Sequence, residues 1–105
     1  MSFAGTDLLR ERVAAHPEWF DDCPPGTAFN ETEIIDTDGN VYRPDRVIVR
    51  DGAVTVIDYK FGAPRPAYAA QARRYARLYR DMGYERVRAF LWYVYEDRIE
   101  EITIA

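Results

Sequence analysis

The stretch Arg43-Pro44-Asp45-Arg46-Val47-Ile48-Val49-Arg50-Asp51-Gly52-Ala53-Val54-Thr55-Val56-Ile57-Asp58-Tyr59-Lys60 decides how this chain folds. Two β-branched runs flank Asp51-Gly52, a dipeptide suited to the positive φ angles of a two-residue hairpin turn. Such a turn pairs residues whose numbers sum to 103, so Arg50 faces Ala53 and Asp45 faces Asp58. Side chains alternate along a strand, which sets Asp58 and Lys60 on one face, above Val54 and Val56, with Tyr59 on the other. An acid and a lysine at a strand end can be a structural ion pair. Two aspartates directly opposite each other, however, destabilise a sheet unless something neutralises them, and a divalent cation does so.

Outward from the hairpin, the period stays at two. Strands are expected at residues 28–36, 41–50 and 53–60, forming an antiparallel meander with a second two-residue turn at Asp38-Gly39. That turn would pair numbers summing to 77 and set Thr32, rather than Glu31 or Glu33, opposite Asp45; one bulge would reverse this. Residues 62–66 break the pattern, and a helix is expected over 67–82, stopped by Gly83. Its apolar stripe is Tyr68, Ala72, Tyr75, Tyr79 and Met82, with Arg73, Arg77 and Arg80 on the far side. Two further strands, 87–95 and 98–104, turn at Glu96-Asp97. Upstream, a helix over 6–16 ends at His16-Pro17, and Asp21 to Gly26 reads as a loop because two prolines and a glycine interrupt regular hydrogen bonding. The expected whole is a single α/β domain: a mixed sheet with an antiparallel meander and flanking helices.

Composition agrees with one foldable unit. The 105 residues are 48% hydrophobic and 30% charged, which suits a core with a solvated surface. No apolar run approaches the roughly 20 residues that cross a bilayer, and the start lacks the order of a signal peptide, so a cytoplasmic location is the expectation. Cys23 is the only cysteine, which rules out an internal disulfide and a thiolate zinc site, and it reads as packing filler. Net charge is −4, unlike a protein that grips nucleic acid by bulk electrostatics. The charge is uneven: residues 1–58 hold 12 acids and 5 arginines, whereas residues 59–105 hold 9 basic and 6 acidic side chains. The seven arginines from Arg65 to Arg88 could follow a phosphate backbone or form a solvated helix face.

The chemistry reads from the hairpin. Mg²⁺ is commonly held by one or two carboxylates, waters and substrate phosphates, which Asp45 and Asp58 could supply, with the Tyr59 carbonyl as a third oxygen. Lys60 would then sit beside the ion, placed to orient the nucleophile or to stabilise extra charge on phosphorus. Of 14 basic residues, 13 are arginine and Lys60 is the sole lysine, so the compact ammonium stands at this one position.

Arg43-Pro44-Asp45-Arg46-Val47, then Asp58-Tyr59-Lys60, then Gln71 and Tyr75 at QxxxY spacing, resembles the PD-(D/E)XK nuclease superfamily, and within it the RecB-like nuclease domain found at the C-terminus of bacterial UvrD/Rep-type helicases. Phe90-Leu91-Trp92-Tyr93-Val94-Tyr95 also looks like that branch, and the resemblance runs from about Phe29 to the C-terminus. It implies a restriction-endonuclease-like fold and a Mg²⁺- or Mn²⁺-dependent deoxyribonuclease in DNA recombination or repair. Asp45 and Asp58 would be metal ligands, Lys60 the catalytic lysine, and Gln71 and Tyr75 would line the site. It further implies DNA as substrate and a helicase partner or fused helicase. Many RecB-like domains carry a further metal-binding histidine upstream; His16 is the one candidate, and its place before Pro17 suits a surface or capping role. Glu31 resembles the acid that opens this strand in the helicase-linked branch. The alternatives are a catalytically weak or inactive nuclease-fold module that binds nucleic acid or a helicase, a fragment of a longer helicase-nuclease, and an RNA-directed nuclease.

Overall fold

A computed structural model of the chain describes residues 10–20, 23–24, 26–30, 33–35 and 37–104. Residues 10–14 are helical and lead through a 3₁₀ turn, Pro17–Trp19, into the sheet region. Seven strands follow: β1 (Ala28–Asn30), β2 (Ile34–Ile35), β3 (Val41–Tyr42), β4 (Arg46–Arg50), β5 (Ala53–Lys60), β6 (Arg86–Tyr93) and β7 (Arg98–Ile102), with helix α1 (Pro66–Asp81) between β5 and β6. Five of them form one mixed sheet in the order β1-β4-β5-β6-β7; β2 and β3 pair separately. All neighbours are antiparallel except β5 and β6, which run parallel because α1 carries the chain back across the sheet. Among the described residues, no helix is long and apolar enough to cross a membrane.

The central hairpin forms in the expected register. Arg50 pairs with Ala53 and Arg46 with Ile57, and the turn residues Asp51 and Gly52 both have positive φ, 51° and 78°. This mirror-image turn matches the twist of the strands it joins. The helix also ends as its sequence suggests. Gly83, at φ 108°, lets its own N–H reach the Arg80 carbonyl and that of Tyr84 reach Tyr79. These are the two bonds of a Schellman cap, and the Tyr79 and Tyr84 rings pack across it.

Two expectations fail nearby. The strand expected at 41–50 is interrupted between Tyr42 and Arg46, because Pro44 has no N–H to donate and restricts Arg43 before it, while the described part of 28–36 forms Ala28–Asn30 and Ile34–Ile35. Around Asp38-Gly39 the chain forms a longer loop, with Gly39 but not Asp38 at positive φ. Ile35 therefore pairs with Val41, and Ala28 with Ile48, numbers that sum to 76 rather than 77. The expected pairing of Thr32 with Asp45, and Glu31 beside it, lie outside the described residues. Met82, assigned to the apolar stripe, is exposed, and Ala76 is buried in the stripe instead.

The sheet is covered on both sides. On one face, Val47, Val54, Val56, Ala89, Leu91 and Ile102 meet Ala72, Tyr75, Ala76 and Tyr79 of α1. Alanines on both surfaces, Ala72 and Ala76 against Ala89, leave room for the helix to settle close to the sheet. On the other face, Ile48, Ile57, Phe90, Trp92 and Val94 pack against Trp19, with Val13, Phe20 and Cys23 at the margin. Cys23 thus packs as expected, its Sγ 3.8 Å from the Glu18 carbonyl.

Candidate active site

The helix-facing side of β5 carries Val54, Val56, Asp58 and Lys60 in turn, as strict alternation requires. One step beyond the Arg46–Ile57 pair, the same register sets Asp45 opposite Asp58. The two acids interlock through the backbone. The Tyr59 N–H donates to Asp45 Oδ2 at 2.7 Å, and the Asp45 N–H approaches Asp58 Oδ1 at 3.4 Å. Asp58 is only 4% exposed. Its Oδ2 lies 3.1 Å from Lys60 Nζ.

Electrostatics register the crowding. Burial first, and then the neighbouring Asp58, push the Asp45 carboxyl up to about 6 against the opposing pull of the Tyr59 N–H and the Lys60 ammonium. Two carboxylates thus share one ammonium on a largely desolvated surface. Lys60 is itself held from three sides: by Asp58, by the Tyr68 ring 4.4 Å below its Nζ, and by Gln71 Oε1 at a long 3.4 Å. Tyr75 lies deeper, its hydroxyl pushed up to about 12 first by burial and then by the Asp58 and Asp45 charges, and it bonds the backbone at Arg43.

The fold therefore brings Asp45, Asp58, Lys60, Gln71 and Tyr75 into one cluster. Tyr59 takes part through its backbone, while its ring lies on the opposite face against Trp92, 5.7 Å between centroids. Tyr68, read from the sequence as an ordinary core position, proves to underlie the lysine. The available signal was its place three residues before Gln71 on the same helical ridge. Among the described residues, no group of three or more His, Cys, Asp and Glu side chains converges. Glu33 is turned outward and pairs with Arg43 Nη2 at 2.6 Å.

His16 departs from its expected surface or capping role. Its Nε2 is 2.6 Å from Asp97 Oδ1, its ring stacks on Trp19 with centroids 5.3 Å apart, and it meets Trp92 in a T-shaped contact with centroids 5.1 Å apart. This places it on the face of the sheet opposite Asp58. The sequence offered no signal for it, because the partner lies 81 residues on.

No family model matches the chain. No curated protein matches it either. One solved structure that it resembles is described as "Crystal structure of SSO0001", at 24% identity and a TM-score of 0.45, covering 96% of this chain and 49% of that one. The chain thus spans about half the length of that protein.

Proposed function

We propose that this chain is a Mg²⁺- or Mn²⁺-dependent deoxyribonuclease of the RecB-like, restriction-endonuclease-like kind, acting in DNA recombination or repair beside a helicase partner. The observation that carries the reading is the Asp45–Asp58 pair: two carboxylates set face to face over an apolar floor, with Lys60 alongside.

The donor set suits a hard divalent ion, since it consists of oxygens whose mutual repulsion a cation relieves. Asp45 and Asp58 would hold the ion, and the Tyr59 carbonyl is available as a third oxygen. When bound, such an ion supplies Lewis acidity toward the phosphoryl oxygen and the attacking water. The chain's own residues do the rest. Lys60, fixed by Asp58, Tyr68 and Gln71, keeps its ammonium where negative charge builds on phosphorus or where the nucleophile must be oriented. Val56 and Leu91 floor the site and weaken solvent screening around Asp58. Gln71 and Tyr75 keep α1 in register with the two acids.

The test is cleavage of single-stranded and duplex DNA with Mg²⁺, Mn²⁺ or chelator, alongside calorimetric ion binding, on the wild type and Asp58→Ala. Metal-dependent cleavage and ion binding should both disappear in the variant. Ion binding without cleavage of any substrate would instead identify an inactive nuclease-fold module. A wild type that neither binds the ion nor cleaves rejects the proposal.

A further inference from the structure

The five-stranded sheet ends on β7, and among the described residues nothing pairs with the outer edge of that strand. Four of its five residues, Arg98 to Glu101, are exposed. An open edge presents a row of unpaired N–H and C=O groups, and sheets blunt such edges with a proline, a bulge, a covering loop or charges that repel an incoming strand. β7 contains no proline, and its pairing with β6 runs without a bulge from Tyr93–Arg98 to Ala89–Ile102. Its charges therefore decide what the edge accepts.

Those charges are ordered by face. Arg98, Glu100 and Ile102 point to the α1 side, where Ile102 joins the core and the Arg98 guanidinium lies 4.4 Å from the centre of the Tyr93 ring. Ile99 and Glu101 point to the other side, where the Arg88 fork holds Glu101 through Nε at 3.1 Å and Nη2 at 2.9 Å. Arg98 reaches Glu96 and Glu100 of its own chain only at 3.5 and 3.9 Å, with all three side chains in solvent. It can exchange them for a better placed carboxylate at little cost.

A second copy can add to this edge by antiparallel pairing about a two-fold axis normal to the sheet, which sets residues of like parity opposite each other. Centring the axis on Arg98, Glu100 or Glu101 would put like charges face to face. Centring it on Ile102 would set Glu101 against Thr103 and Glu100 against Ile104, with no charge matched. Centred on Ile99, the pattern complements itself: the exposed Ile99 side chains meet on the axis, and Arg98 of each copy meets Glu100 of the other. At the ends of that ladder Glu101 opposes Asp97, and each is already bonded within its own chain, Glu101 to Arg88 and Asp97 to His16 and Trp92.

We propose that β7 is a homodimer interface, at which two copies join edge to edge in the register centred on Ile99 and merge their sheets into one of ten strands. Main-chain hydrogen bonds supply the adhesion, and the two Arg98–Glu100 pairs select this register over the others. Because the axis is normal to the sheet, both α1 helices and both acid pairs stand on the same side of it.

The experiment is sedimentation equilibrium of the full chain over a concentration series. The samples are wild type, Arg98→Glu, Glu100→Arg, an equimolar mixture of those two, and Ile99→Lys, each checked for folding by circular dichroism and a melting curve. Wild type should approach twice the chain mass as concentration rises. Each single substitution alters contacts on both sides of the axis, so each should weaken the dimer on the order of tenfold. The mixture should recover wild-type affinity to within about threefold, since the acidic edge of one variant then faces the basic edge of the other. Ile99→Lys brings like charges together on the axis and should weaken the dimer about as much. It carries the test should Arg98→Glu, which loses its contact with Tyr93, fail to fold. A wild type that stays monomeric at every concentration overturns the proposal, as do variants that dimerise as the wild type does, or a folded mixture that associates no better than its components.

Discussion

Each face of the sheet holds a partly buried aspartate, and the two are treated in opposite ways. On the face away from α1, Asp97 Oδ1 is bonded both by His16 Nε2 and by Trp92 Nε1, at 2.6 and 2.9 Å. The His16 bond leads the interactions that hold its carboxyl below the usual range. On the α1 face, burial and the neighbouring Asp58 raise the Asp45 carboxyl to about 6. One acid is completed by the fold and ties the N-terminal segment to the β6–β7 turn, assisted by Arg12, which donates to the Val94 and Tyr95 carbonyls. The other acid is left short of positive charge. Where a fold supplies a charge with its partners, the group is structural; where it gathers like charges, a cation or substrate is the natural complement.

Substitutions can break this contrast. The largest effect is expected from Asp58→Ala, which should lower metal-dependent DNA cleavage by at least about 100-fold while the protein stays folded; initial rates and a melting curve check both halves. Lys60→Met should come next, lowering the maximal rate more than it weakens ion binding, as separate titration and turnover measurements would reveal. On the opposite face, His16→Ala should leave cleavage chemistry intact but cost about 2 kcal/mol of stability in urea unfolding, since it removes a bond to Asp97 and the imidazole's own ring contacts with Trp19 and Trp92. If His16→Ala abolished ion binding instead, the division between the faces would be wrong.

The acid pair also predicts a pH dependence of a particular sign. A folded-state value above the unfolded one means that the native protein binds more protons between about pH 4 and 6, so the metal-free protein should lose stability as pH rises through that window. Asp97, with its value lowered, acts oppositely: its stabilisation is present above pH 4 and lost as pH falls below it. Asp45→Asn keeps an oxygen for the Tyr59 N–H, and should remove the first slope and raise stability at pH 7 by about 1 kcal/mol, a discount on the full linkage because the site is partly exposed. Urea unfolding at pH 4 and 7 measures it. The smallest effect should come from Gln71→Ala, a few-fold loss of cleavage rate, because its bond to Lys60 is long and Tyr68 and Asp58 still hold the ammonium.

Much of the α1 face was legible in the sequence because its determinants are local. Asp51-Gly52 specifies its turn through backbone sterics, the turn specifies the register, and the register puts Asp45 beside Asp58. The 3.6-residue period brings Gln71 and Tyr75 to one ridge, and Gly83 ends the helix by adopting a φ that other residues resist. The first hairpin was misread for an equally local reason: Asp38-Gly39 carries the same turn signal but sits in a longer loop, and the described pairs are shifted by a single step, numbers summing to 76 rather than 77.

By itself, then, the sequence determined the central hairpin, the α1 helix and the neighbouring acids, since each follows from contacts between residues close in the chain or fixed by one turn. Only the tertiary structure decided that His16 meets Asp97, that Tyr68 rather than solvent lies beneath Lys60, and that Tyr42 closes a cleft against the arginines of α1. Those pairings depend on how the helix and the two hairpins pack onto the sheet, and packing is set by the shape of the whole core rather than by the period of any one segment.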